Sequence, residues 1–228
     1  MRPKTTESKR AWQIRIDLED LWPPVWRRVL VPEGITLPEL HGVIQEAFGW
    51  EDYHLHQFTI GGVEYGDPDD DEYGQMDIHD ESEQSLSALG PSAGDTLTYT
   101  YDFGDDWRHT LRLEKMLTVP DRSRLPRCLA GQRVCPPEDV GGTGGYSEVL
   151  AALADPQDPE HDHYREWAGG AFDPEAFDPK EANRRLADRA AAERDPVWGR
   201  VLERYRNAPL DHPAVWGTAD RAELEAAA

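Results

Sequence analysis

The sequence predicts an α+β protein: a small mixed or antiparallel sheet with one packed helix in a β-grasp-like order, followed by a helical C-terminal part. Four observations predict this class. Residues 12–18 alternate apolar and polar side chains, as in a half-buried strand. Residues 37–48 have apolar side chains at helical spacing, and residues 97–113 form two alternating runs around Gly104. Apolar spacing typical of helices returns after Tyr146.

The first two elements are predicted as a hairpin-like pair of strands. Residues 1–10 are polar, so we expect a disordered leader. The alternating run 12–18 ends at Trp22-Pro23-Pro24, because proline cannot continue a strand ladder. A second apolar run, 25–31, then predicts the partner strand.

The packed helix has start and stop signals in the sequence. Thr36-Leu37-Pro38-Glu39 is a capping-box pattern with proline in the first turn, and Gly49 is a helix terminator. Residues 55–60 predict the next strand, and Gly61-Gly62 predict a tight turn into a short strand over 63–65.

The remaining elements divide the chain into four predicted parts. The alternating runs 97–103 and 107–113 predict a β-hairpin. The predicted parts are a leader over 1–10, an α+β core over 11–119 containing a long mobile acidic loop at 67–83, a Cys/Gly-rich loop at 120–145 with helices packed on the core up to 206, and a tail over 207–228.

The charge of the chain is concentrated in one segment. The 228 residues carry a formal net charge of −21, yet residues 29–107 contain no Lys or Arg and 19 of the 45 acidic residues. This balance argues against direct nucleic-acid binding, because such affinity comes from Lys and Arg neutralising phosphates. With two cysteines, no long apolar run and no secretory leader, we expect a cytoplasmic protein without a membrane segment.

Histidines and carboxylates form the first candidate site. His54 and His56 share a face if they lie in a strand, and acidic residues with one further histidine flank the later hairpin. Imidazole with carboxylate suits Zn, Mn or Ni. The predicted metal ligands are His54, His56, Asp102, Asp105, Asp106 and His109. The structural interpretation is favoured: hydrogen-bonded core histidines on apolar strand faces, and aspartates that stabilise a turn.

The cysteines and a glycine-rich string are weaker candidates. Six residues separate Cys128 from Cys135, which is neither a zinc knuckle nor a redox pair. They could serve as zinc thiolates with two histidines, or pack as reduced thiols, which the spacing favours. The string 140–146 lacks the lysine of a phosphate-binding loop, so we expect a tight turn and a helix cap.

Several strings in this order resemble one family. They are Pro23-Pro24-Val25-Trp26-Arg27-Arg28, the segment from Gly49 to Phe58, the segment from Tyr101 to Trp107, Cys128-Leu129-Ala130-Gly131, and the segment from Cys135 to Gly142. Over about residues 10–190 the chain resembles the plasmid pRiA4b Orf-3-like family. The resemblance implies an α+β fold, association with plasmids or mobile elements, and no assigned activity.

Two properties of that family do not carry over to this chain. Some members are labelled insertion-sequence passenger or resolvase-like, but this sequence has no serine-recombinase-like motif and no basic face. Many members have a third cysteine where this chain has Val140, so a metal site using that thiol would be incomplete here.

Two functional hypotheses follow from the sequence. The first is a non-catalytic binding module whose acidic face accepts a basic protein segment or a cation, with Glu51, Asp52, Glu138 and Asp139 as partner-binding residues. The alternative is a metal-dependent hydrolase or nuclease-like enzyme, in which the histidine and aspartate ligands hold the ion and a carboxylate activates water.

Overall fold

A computed structural model describes residues 8–68, 78–168, 170 and 172–192. The strands in these residues are β1 Ser8–Leu18, β2 Trp26–Pro32, β3 His56–Ile60, β4 Val63–Gly66, β5 Ile78–Asp80, β6 Thr96–Tyr101, β7 Trp107–Pro120 and β8 Arg127–Gln132. The α-helices are α1 Leu37–Phe48, α2 Leu86–Leu89, α3 Gly142–Ala154, α4 His161–Trp167 and α5 Pro179–Ala192. None of the helices in this part of the chain has the length and apolar character needed to cross a membrane.

The eight strands form one mixed sheet. Their order is β5-β4-β3-β6-β7-β1-β2-β8, and every neighbouring pair is antiparallel except β4 with β5. The predicted α+β class, with a mixed sheet and a packed helix, is therefore confirmed. The predicted pair at the start of the chain is β1 with β2, and the predicted hairpin is β6 with β7.

The main helix begins and ends where the sequence predicts. The Thr36 side chain accepts a hydrogen bond from the Glu39 N–H, and the Glu39 carboxylate accepts one from the Thr36 N–H. Gly49 closes the helix in the left-handed conformation, which costs glycine little because it has no Cβ. The buried side of α1 joins the apolar side chains of the sheet in one core, to which Ala182 and Leu186 of α5 also contribute.

Three segments differ from the predicted organisation. Ser8–Arg10, expected in the leader, pair with β7 as part of β1. The acidic loop is shorter than predicted, because 78–80 form β5 and Glu81–Glu83 form a 3₁₀ turn. The predicted loop at 120–145 contains β8 and the start of α3.

The sequence does not predict β8 because this strand lies at the edge of the sheet. In that strand Cys128 is buried while Leu129 is exposed, so the hydrophobic alternation that signals a strand is weak. Residues 1–7 of the predicted leader, 69–77 of the acidic loop and the tail over 207–228 lie outside the described residues.

Two compact units divide the chain, residues 1–186 and 187–228. The first holds the whole sheet and the helices up to Leu186. Of the second, the structure describes 187–192, the end of α5.

A candidate divalent-metal site at one end of the sheet

Three loops meet at one end of the sheet and carry the charged side chains of the candidate site. His54 lies just before β3, and Asp102 lies just after β6. Because β3 and β6 are antiparallel with His56 opposite Tyr101, the start of one strand adjoins the end of the other. The loop from β8 to α3 brings Glu138 and Asp139 to the same place.

One imidazole faces three carboxylates in this cluster. His54 Nε2 lies 3.6 Å from Asp102 Oδ2, 3.8 Å from Glu138 Oε2 and 3.3 Å from Asp139 Oδ1. One ligand atom from each of His54, Asp102 and Asp139 lies within 4.8 Å of the others, a spacing that could hold a metal ion. In the described part of the chain, these three form the one group of histidine, cysteine and acidic residues with this spacing.

Two of the carboxylates use one oxygen for structure and direct the other toward His54. Oδ1 of Asp102 accepts hydrogen bonds from the N–H groups of Gly104 and Asp105 at 2.9 and 3.2 Å. Oε1 of Glu138 accepts from the Glu51 N–H at 2.8 Å and from the Tyr101 hydroxyl at 3.2 Å. The oxygens left over, Oδ2 and Oε2, are the ones near the imidazole.

Two buried polar atoms at the centre of the cluster make no hydrogen bond with any described residue. They are Nε2 of His54 and Oε2 of Glu138. Buried polar groups in native proteins are almost always hydrogen-bonded, and exceptions call for an explanation such as an ion. Burial, the largest cause, raises the pKa of Glu138 above the usual glutamate value. A nearby cation would therefore stabilise the charged form of this partly desolvated carboxylate.

The aromatic rim of the cluster is formed by Tyr53. Its ring packs against the His54 ring at 4.7 Å between centroids, and the residue remains 47% exposed. Burial, then the charges of Glu138 and Asp139, raise the pKa of Tyr53 to about 12. The phenol therefore stays protonated at neutral pH, as a hydrogen-bond donor beside the carboxylates.

The remaining histidines of the predicted site lie elsewhere. His56 stacks on His41 with 3.6 Å between ring centroids, and its Nε2 lies 3.1 Å from both carboxylate oxygens of Glu81. His41 in turn contacts the Tyr99 hydroxyl and Asp52. Asp52, predicted to bind a partner, thus contacts His41, and its side chain remains 31% exposed.

His109 belongs to the core. Its ring lies edge-on to Phe48 and Trp50, and its Nδ1 donates to the carbonyl oxygens of Trp107 and Tyr99 at 3.1 and 3.3 Å. Burial lowers its pKa to about 3, so the imidazole is neutral. The structural alternative is the one that fits this residue.

The two other predicted aspartate ligands act in the turn between β6 and β7. Asp105 Oδ2 accepts a hydrogen bond from the Gly141 N–H at 3.0 Å, and the exposed Asp106 forms an ion pair with Arg108. The six predicted ligands therefore do not form one site. His54 and Asp102 come together, and they are joined by Glu138 and Asp139 rather than by the other four.

The predicted zinc thiolates are buried free cysteines. Burial raises the pKa of both Cys128 and Cys135, and the nearby Arg27 guanidinium only partly offsets it. Protonated thiols are poor zinc ligands. Neither residue joins a metal-spaced group among the described residues.

The glycine-rich string is a turn and helix start, as predicted. Gly141 is the N-cap of α3 with a φ of 87°, and the helix begins at Gly142. Val140, the position of the third cysteine in many members of the resembling family, packs against the core.

Fold and cluster together define an α+β protein with a histidine and three carboxylates gathered at one end of a mixed sheet. The model of the plasmid pRiA4b ORF-3-like protein family matches residues 10–181. The chain belongs to this family.

Two relatives have no assigned function. The chain is 36% identical over 193 residues to the uncharacterized protein y4hQ of Sinorhizobium fredii, covering 84% of this chain and 96% of that protein. Its fold is similar to the crystal structure of a protein of unknown function, MM3350, from Methanosarcina mazei Go1. The TM-score is 0.70 and the identity 37%, over 76% of this chain and 97% of the other.

Proposed function

We propose that this protein is a divalent-cation-binding module and that its site consists of His54, Asp102, Glu138 and Asp139. The observation that carries the proposal is the pair of buried atoms without a hydrogen bond, His54 Nε2 and Glu138 Oε2, inside a cluster of three carboxylates. A cation would satisfy both atoms and offset the repulsion among the carboxylates.

The ligand types favour particular ions. One imidazole nitrogen with carboxylate oxygens suits Mn²⁺, Zn²⁺ or Ni²⁺ better than a site of oxygens alone, which suits Mg²⁺ or Ca²⁺. The module would work in the cytoplasm, where both thiols stay reduced. The hydrolase hypothesis names six metal ligands, of which His54 and Asp102 lie in this cluster and the other four do not, so we propose binding rather than catalysis.

Metal content and metal affinity test the proposal. Protein purified without added metal is analysed for its elements, treated with chelator, and titrated with Mn²⁺, Zn²⁺ and Ni²⁺ by calorimetry and thermal unfolding. We expect one site and a rise in the unfolding midpoint, because an ion that binds only the folded state stabilises it. Wild-type protein that binds none of the three ions would overturn the proposal.

A matched pair of variants locates the site. Asp139→Asn removes one ligand charge at a side chain that is 67% exposed, so folding should be preserved, and the affinity for Mn²⁺ should fall at least tenfold. Asp106→Asn removes the same charge in the nearby turn, at a carboxylate bound to Arg108, and should leave the affinity unchanged. Equal losses in both variants would indicate a general effect of charge.

A basic protein segment is the second candidate ligand of this end of the sheet. The β1–β2 connection lies beside the β6–β7 turn, since Leu18 pairs with His109, and it carries Trp22, which is 89% exposed. Phe103 and Tyr53 are also exposed near the carboxylates. Exposed aromatic rings and acids suit Lys and Arg side chains.

Salt dependence tests this second candidate. A Lys/Arg-rich peptide should quench the fluorescence of Trp22. The affinity for the peptide should fall as the salt concentration is raised from about 50 to about 500 mM, because salt screens the attraction between exposed charges. Trp22→Ala should weaken the binding. An affinity that does not change with salt would exclude an electrostatic partner.

A further inference from the structure

We propose that the Tyr101 hydroxyl is the positioning group of the metal site, fixing His54 and Glu138 in the arrangement that receives the cation. This inference rests on the proposed cation-binding function and adds a residue that touches no ion itself. It comes from the hydrogen bonds that converge on one phenol oxygen.

The Tyr101 oxygen joins two of the three loops that form the site. It accepts hydrogen bonds from the backbone N–H groups of Tyr53 and His54, at 3.2 and 3.4 Å. It donates its own proton to Oε1 of Glu138 at 3.2 Å. The loop before β3 and the loop before α3 are therefore linked through a single atom at the end of β6.

The direction of the donated proton is fixed by chemistry. Burial, the largest cause, raises the pKa of Tyr101 well above the usual tyrosine value, so the phenol carries a proton at neutral pH. The two backbone N–H groups can only donate, which leaves the phenol proton for an acceptor. Glu138 supplies that acceptor.

The consequence for the site is an oriented carboxylate. With the Glu51 N–H and the Tyr101 hydroxyl both on Oε1, Oε2 of Glu138 is directed toward His54. Partners of this kind, which hydrogen-bond a metal-ligating carboxylate without touching the ion, orient the ligand. Sequence reasoning missed Tyr101 because its alternation in β6 marks it as a core residue, and its hydroxyl partners come from distant parts of the chain.

Replacing one hydroxyl tests the proposal. Tyr101→Phe keeps the ring that packs on Trp50 at 5.0 Å and removes the oxygen alone. Tyr146→Phe is the matched control, because the buried Tyr146 hydroxyl makes no hydrogen bond with any described residue. Co²⁺ and Mn²⁺ affinities and the visible spectrum of bound Co²⁺ are measured for both variants and the wild type.

We expect the affinity of Tyr101→Phe to fall about 10- to 100-fold, with a changed Co²⁺ spectrum. Tyr146→Phe should match the wild type in both measurements. Loss of thermal stability in Tyr101→Phe with unchanged affinity and spectrum would show a purely structural hydroxyl and overturn the inference, leaving the proposed function intact. Wild-type protein that binds none of Mn²⁺, Zn²⁺, Ni²⁺ and Co²⁺ would overturn both.

A measurement on the unmutated chain covers the case in which Tyr101→Phe does not fold. In protein labelled at the tyrosine Cζ carbon, Zn²⁺ should shift the Tyr101 resonance, because the ion draws charge from the carboxylate that accepts its proton. The Tyr146 resonance should not move. A Tyr101 signal that stays in place while Zn²⁺ binds would overturn the inference.

Discussion

The backbone N–H of Gly141 donates a 3.0 Å hydrogen bond to the side chain of Asp105 and so fastens the start of α3 to the turn between β6 and β7. The two segments approach each other even more closely at the next residue, Gly142. A Cβ atom on Gly142 would lie 2.6 Å from the backbone oxygen of Asp105. The two joined segments carry Asp102 on one side and Glu138 with Asp139 on the other, so this contact holds two loops of the candidate site together.

Gly142→Ala should therefore damage both stability and metal binding. The new Cβ meets backbone rather than a movable side chain, and the residue has a φ of +67°, which alanine rarely adopts. We expect a loss of about 2 kcal/mol in the free energy of unfolding, measured with urea, and weaker Mn²⁺ binding.

The control for Gly142 is a glycine two residues along the same helix. A Cβ on Gly144 would meet nothing within 4 Å, so Gly144→Ala should keep or raise stability by up to about 1 kcal/mol. Equal stability of the two alanine variants would contradict the close packing at Gly142.

Acidification should destabilise the protein through His109. Its pKa is about 3 in the folded state against the ordinary histidine value of 6.5, so between these pH values the unfolded chain binds a proton and the folded chain does not. The free energy of unfolding should fall by about 1.4 kcal/mol per pH unit as the pH drops below 6.5.

His109→Phe isolates this contribution. The variant keeps an aromatic ring beside Phe48 and Trp50 and has nothing to titrate at that position. In this variant the free energy of unfolding, measured with urea, should change less between pH 7 and pH 5 than in the wild type. The two slopes should differ by about 1.4 kcal/mol per pH unit below pH 6.5. Identical slopes would mean that His109 takes up its proton in the folded state.

Replacement by lysine should lower the free energy of unfolding very differently at two neighbouring arginines. The buried Arg27 guanidinium donates to the carbonyl oxygens of Ala47, Trp26 and Gln132 at 2.9 to 3.0 Å. Lysine cannot reproduce this planar set of donors, so Arg27→Lys should cost about 3 kcal/mol of the free energy of unfolding.

Arg28 provides the comparison on the other face of β2. It forms a bidentate pair with Glu114, at 2.7 Å for each bond, and remains partly exposed. Arg28→Lys should cost about 1 kcal/mol or less, because a screened surface pair contributes little. Similar losses for both lysine variants, by calorimetric unfolding, would contradict the buried network of Arg27.

Local signals account for the parts of the fold that the sequence predicts well. The capping box at Thr36 and Glu39 and the Gly49 terminator act within one helix, and the alternation around Gly104 acts within one hairpin. The position of His109 also follows from alternation, since it shares a face with Trp107. The sequence does not predict the edge strand β8, because its alternation of apolar and polar side chains is weak.

The candidate site required information that no local pattern carries. His54 and Asp102 were predicted together, yet His56 was predicted with them and instead pairs with Glu81. The sequence predicts Asp139 on a partner-binding surface rather than among the metal ligands.

Patterns along the chain predict the α+β class, the capped helix, the main strand pairs and the acidic segment, because capping and alternation are interactions between near neighbours. Which charged side chains meet depends on the folded arrangement of the strands and loops. The antiparallel register that sets His56 opposite Tyr101 brings His54 to Asp102, and the Gly141–Asp105 contact brings in the loop with Glu138. Those pairings depend on long-range packing, and three of the 45 acidic residues meet His54 only because the folded chain brings their loops together.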